Sequence, residues 1–258
     1  MVFTGLSAAR REKMRNRLFV FKNKSLGITV SYSHFSPTFE QMSSLRFYTK
    51  EEERANVLSH GIGLMLGITG SYYLLSFAFS NGSKWALLSV ILYLAGMLLS
   101  YFTSTCYHAC RHINRREIWR KWDHSAIYMH IAGTYAPFTL LVLRDVGLWG
   151  WSLFAINSLA AITGTMLSFR KLKEHSHLET ICFIGMGCSI LIAFKPLVDT
   201  LSLSGRMNSL YWLIAGGVSY IAGAIFYSWK AKKYMHTVFH VFVVIGSICH
   251  MIAVYLIL

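Results

Sequence analysis

Long charge-free stretches separated by short clusters of charge dominate this sequence, and they decide what the chain can become. Crossing about 30 Å of hydrocarbon at 1.5 Å per residue takes roughly 20 apolar residues. Seven runs meet that length: Val57–Phe79, Trp85–Ala109, Ser125–Leu143, Val146–Phe169, Thr180–Val198, Ser209–Trp229 and His236–Leu258. The fifth is the weakest because Lys195 and Pro196 lie within it, and Lys195 has to snorkel to the interface. With 54% hydrophobic residues in 258, the chain is too apolar for an ordinary soluble domain. The expectation is an all-α membrane protein of seven transmembrane helices.

Basic residues set the direction. Of the 25 Lys and Arg, 21 fall in the amino-terminal segment and the second, fourth and sixth connections, and 4 in the others. Positive-inside bias places the larger set in the cytosol, with the amino terminus cytosolic and the carboxyl terminus on the far side. In a bacterium this would be the plasma (inner) membrane. The net charge of +14 then points to anionic lipid headgroups as partners and not to nucleic acid. Cys106, Cys110, Cys182, Cys188 and Cys249 lie in or beside apolar stretches, which argues against a disulfide framework.

Residues 1–50 are Arg-rich early and lack a signal-peptide pattern. They read as a disordered or surface-lying cytosolic extension, and Met42 is an equally plausible start. Residues 51–258 hold the spans. Gly63 and Gly67, and Gly216, Gly217 and Gly223, have spacings suited to close helix packing, though glycine is also simply common in such helices. Pro137 is expected to bend the outer half of the third span.

Ionisable groups within spans are costly and each asks for a reason. His108 occupies the last cytosolic turn of the second span, with Ser104 one turn deeper on the same face. Asp123 opens the third span, and His236 and His240 open the seventh, one turn apart. All five fall at one depth near the inner leaflet. Three imidazoles and a carboxylate suit Zn²⁺, with three protein ligands leaving a position for water whose pKa the metal lowers towards about 7. On that reading His108, His236 and His240 are direct ligands. Asp123 holds the water or acts as general base, and Ser104 hydrogen-bonds water, Asp123 or a substrate oxyanion. Spacing and depth alone leave open the bland alternative, in which these are solvated headgroup-level residues and only His240 needs a buried partner.

The strings EEERANVLSHGIG (51–63), STCYH (104–108), KWDHSAIYMHIAGTYAPF (121–138) and HTVFHVFVVIGSICH (236–250) resemble the hemolysin III proteins, the mostly bacterial branch of the progestin and adipoQ receptor superfamily. The resemblance runs from about Glu51 to the end. It implies a zinc ion near the inner leaflet, with the family's SxxxH on Ser104 and His108, its Asp on Asp123 and its HxxxH on His236 and His240. The related alkaline ceramidases, which hydrolyse a lipid amide, carry the same set. The amino-terminal extension departs from the family pattern.

His60, with Glu53 and Asn56 nearby, matches the family's first-span motif and reads best as polar glue between helices. His250 lies about 15 Å along the helix from His240, too far to share an ion, and reads as a satisfied buried histidine. Cys110 reads as packing. His124 and His130 look like ordinary span residues, and His112, His175 and His177 like loop residues. The leading activity is zinc-dependent hydrolysis of a lipid amide or ester. The alternatives are a receptor or signalling module with structural zinc, and a pore-forming cytolysin, which lacks a charged lumen-facing stripe. Substrate and oligomeric state are not legible.

Overall fold

A computed structural model describes residues 19–23, 28–32, 48–169, 177–229 and 232–258. The chain divides into two units, Met1–Leu45 and Arg46–Leu258. In the first, β1 (Phe19–Asn23) and β2 (Ile28–Tyr32) pair antiparallel, Phe19 opposite Tyr32 and Asn23 opposite Ile28. The rest of the expected extension lies outside the described residues up to Tyr48, Met42 and its surroundings included.

The second unit is helical throughout its described residues: α1 (Lys50–Ser80), α2 (Lys84–Ala109), α3 (Ile113–Pro137), α4 (Trp149–Ser168), α5 (His177–Cys188), α6 (Phe194–Leu203), α7 (Met207–Ser228) and α8 (Met235–Tyr255). A 3₁₀ turn, Ser189–Ala193, joins α5 to α6. Among the described residues, six segments are long and apolar enough to cross a bilayer: α1, α2, α4, Glu179–Leu203, α7 and α8.

The first helix starts two turns before its apolar run. Thr49 accepts a hydrogen bond from the Glu52 amide, and the Glu52 carboxylate accepts one from the Thr49 amide, closing a capping box. Glu51, Glu52 and Glu53 also favour the positive end of the helix dipole. Past this point α1 is inside out relative to a soluble helix. Its buried stripe is small or polar, Glu52, Asn56, His60, Gly63, Gly67 and Ser71, whereas Leu58, Ile62, Met65, Tyr72 and Phe77 face outward. An outward apolar face of this kind is stable against acyl chains and would be a large unprotected patch in water.

The central pair is α2 and α3. A Cβ on Gly96 would strike the backbone of Met129 and His130, and one on Gly133 the backbone at Leu92 and Tyr93, so each helix offers a glycine to the other's main chain. Gly63, Gly67, Gly216 and Gly223 also sit at helix contacts; Gly217 faces open space, so the packing expected of it is not found.

Two expectations about spans change. The weak span is the third and not the fifth: Arg115, Arg116, Arg120, Lys121 and Asp123 occupy the first half of α3, which lowers its apolarity, while Glu179–Leu203 qualifies. Pro196 is accommodated because the chain has already left α geometry at Ser189–Ala193, where a proline's missing N–H breaks no regular ladder. Lys195 is exposed and pairs with Asp199 at 2.6 Å. Pro137 ends α3, and the chain widens into a π turn, Phe138–Val142, closed by the Leu143 amide on the Phe138 carbonyl at 3.0 Å.

Hydrogen bonds fix which ends lie together. Asn81, just past α1, donates to the Leu258 carbonyl at 2.6 Å, and Arg206, before α7, donates to the Ile257 carbonyl at 2.9 Å. At the opposite end the Tyr234 amide, before α8, donates to Glu52 at 3.0 Å. The start of α1 and the end of the chain therefore lie at opposite ends of the bundle.

Candidate metal centre

Three helices build the site. The last turn of α2 carries His108, the first two turns of α8 carry His236 and His240, and the first three turns of α1 run alongside both. His236 and His240, four apart, share a face of α8. His108 and His240 are buried and His236 half-buried. One ring nitrogen from each of the three lies within 4.8 Å of the others, and His108 Nε2 and His236 Nε2 are 3.1 Å apart.

This spacing fits one ion. Two ligand nitrogens at about 2.0–2.1 Å from a tetrahedral zinc are about 3.3 Å apart, so the His108–His236 pair already has close to that separation, with a His240 nitrogen within 4.8 Å of both. The donor set is all imidazole, which suits zinc better than a hard cation such as Mg²⁺ or Ca²⁺. The structure thus brings His108, His236 and His240 together in a group that could hold a metal ion.

Ser104, one turn before His108 on α2, and Asp123 on α3 form a pair of their own. The Ser104 hydroxyl is buried and faces the Asp123 carboxylate as a hydrogen-bonding neighbour. Arg116 and Arg120 add positive charge near Asp123.

Sequence reasoning placed Glu53, Asn56 and His60 in one first-span motif without a role at the histidines, and it missed Ser59. The Glu53 carboxylate accepts from His108 Nδ1 at 2.7 Å and is ion-paired with Arg116, whose guanidinium also lies over the Tyr107 ring. Ser59 Oγ is 3.1 Å from His240 Nδ1. Asn56 Oδ1 accepts from Thr237, between the two α8 histidines, at 2.5 Å. The available signal was spacing: Glu52, Asn56 and Ser59–His60 recur every three to four residues on one face of α1. The His60 ring stacks on His240 with centroids 3.6 Å apart and planes at 16°, and neither His60 nitrogen has a hydrogen-bond partner. Tyr48 stacks on His236 with centroids 5.1 Å apart.

Other histidines are elsewhere. His124 pairs with Glu179 at 2.9 Å. His130 is 3.5 Å from Ser247 Oγ, which also receives Tyr101 and contacts Tyr220. His250 Nε2 donates to the Leu213 carbonyl at 3.1 Å, while its Nδ1 is unpaired, so it is only half satisfied.

Residues 48–251 match the family described as Haemolysin-III related. The chain belongs to that family. It is similar to Hemolysin-3 of Bacillus cereus, 38% identical over 208 residues that cover 81% of this chain and 92% of that protein. Against the Hemolysin-3 homolog of Bacillus subtilis (strain 168) the identity is 40% over 200 residues, 78% and 91% of the two chains. A more distant relative is the human monocyte to macrophage differentiation factor, 25% identical over 210 residues, 79% and 83% of the two chains, which supports the wider progestin and adipoQ receptor superfamily. Together with the six apolar helices, this membership makes the chain a multi-pass integral membrane protein.

Proposed function

We propose that this haemolysin-III-related protein is a seven-span zinc hydrolase that cleaves an amide or ester bond of a lipid reaching it from the inner leaflet, with its amino terminus cytosolic. The observation that carries the reading is the buried convergence of His108, His236 and His240 from two helices remote in sequence. Three neutral imidazoles leave a coordination position open, the arrangement of a catalytic site. Bound Zn²⁺ supplies Lewis acidity and lowers the pKa of water at that position.

The protein's own groups do the rest. Asp123 takes the proton of the attacking water and returns it to the leaving amine or alcohol, and Ser104 donates to the oxygen on which charge develops. In a bacterium the protein would sit in the plasma (inner) membrane. The test is metal analysis of the detergent-purified protein with lipid turnover assayed alongside. The expected outcome is about one zinc per chain, with both metal and turnover lost in His240→Ala. Full turnover by a metal-free His240→Ala protein would refute it.

A second reading has its own support. The three histidines join α2 to α8, so zinc there would also clamp the bundle, as a receptor or signalling module needs. It predicts zinc-dependent thermal stability without turnover of any lipid. A cytolysin, which the name Hemolysin-3 of the Bacillus cereus relative suggests, would instead release dye from liposomes at low protein density.

A further inference from the structure

We propose that α1 sets the protonation pattern and aim of the metal-binding histidines, with Glu53 and Ser59 as the positioning residues. This rests on the zinc reading above and adds to it the residues that decide which ring nitrogen faces the ion.

The hydrogen bonds carry the assignment. A carboxylate ion-paired with Arg116 can only accept, so the 2.7 Å contact between Glu53 and His108 Nδ1 puts the proton on Nδ1, outweighing the long 3.4 Å approach of the Asn56 amide nitrogen, which would need that atom bare. His108 Nε2 is then bare, and it is the atom that lies 3.1 Å from His236 Nε2 within the cluster. Ser59 reaches the same result by another route. Its hydroxyl proton is committed to the Asn56 carbonyl at 3.0 Å, so its oxygen is left to accept from His240 Nδ1 at 3.1 Å. His240 Nε2 is bare in turn. Two residues six apart on one helix thereby select the same tautomer at two ligands from different helices, and the selected tautomer is the one that binds metal.

The rest of this face keeps α1 in register with α8. Glu52 accepts from the Tyr234 amide, where the backbone is left-handed at φ 62°, and Asn56 accepts from Thr237. The His60 ring lies flat against His240 and restricts its tilt. Helix α1 touches both ligand-bearing helices along its length.

The experiment uses the full-length protein, stripped of metal and titrated with Zn²⁺ against a competing chelator, with Co²⁺ absorption recorded in parallel. Glu53→Gln and Ser59→Ala should each weaken zinc binding by about 10- to 100-fold and shift the Co²⁺ ligand-field bands. Ser59→Thr, which keeps the hydroxyl, should restore both readouts. Glu51→Gln, on the exposed side of the same turn, should match the wild type. A merely structural role would lower the melting temperature of the metal-free variants and leave the Co²⁺ bands in place. If folded Glu53→Gln and Ser59→Ala bind zinc as the wild type does, the positioning role is wrong while the zinc centre stands. If the wild type itself binds neither Zn²⁺ nor Co²⁺, the zinc centre falls and this inference falls with it.

Discussion

Asp123 is where residue-level chemistry can be separated from metal binding. It neighbours Ser104 and lies outside the group of ring nitrogens that converge within 4.8 Å. Replacing it should therefore spare the metal and remove the proton transfer. Asp123→Asn is expected to keep about one zinc per chain and to lower kcat by about 10²- to 10⁴-fold, the usual contribution of a general base. Zinc content by mass spectrometry and untargeted lipid profiling against the wild type check this. Loss of zinc on this substitution would instead make Asp123 a ligand. The three histidines were legible in the sequence because apolar surroundings make any ionisable side chain conspicuous. Glu53 and Ser59 were not, since an acidic residue in a first turn and a serine in an apolar helix have ordinary explanations in capping and packing.

At the scale of elements, α2 and α3 depend on two glycines facing each other's backbone. Gly133→Ala puts a methyl against the Leu92 carbonyl, which no rotamer change can relieve, so the two helices must separate. The expected cost is about 1–3 kcal/mol, the range for overpacking a filled interior, read as a lower melting temperature in detergent. Gly217→Ala, which meets nothing within 4 Å, should leave that temperature unchanged and serves as the control. The broken helix between α5 and α6 and the π turn after Pro137 were only partly visible beforehand. Pro196 and Pro137 announce a disturbance, yet whether the ladder tightens into a 3₁₀ turn or widens into a π turn depends on which side chains must be packed beside it.

At the scale of the whole molecule, the tryptophans gather at the two ends of the bundle. Trp85, Trp149, Trp151 and Trp212 lie in the first two turns of α2, α4 and α7, while Trp119, Trp122 and Trp229 lie toward the other end. Two aromatic belts are what a spanning bundle shows at its two interfaces. The Leu258 carbonyl sits by Asn81, at the far end of α1 from Glu52, an arrangement compatible with the proposed seven crossings. Since α3 is the helix whose first half is basic, seven crossings need α3 and its π turn to span together. A reporter active only outside the cytosol should be active when fused after Leu258 and inactive when fused in the connection between α2 and α3. The reverse result would overturn the orientation, and activity at both sites would overturn the crossing of α3.

By itself the sequence determined the solvent. Apolar runs of bilayer length separated by clusters of charge leave no soluble alternative. It also supplied the imidazoles, because helical spacing alone aligns His236 with His240. Only the tertiary structure decided that His108 meets them, since a contact across 128 residues depends on which faces of α1, α2 and α8 pack together. The same packing turned α1 into the helix behind the site. Its small residues admit the neighbouring helices closely enough for a carboxylate and a hydroxyl to reach two rings, and hydrogen bonds of about 3 Å form only when helix backbones approach that closely.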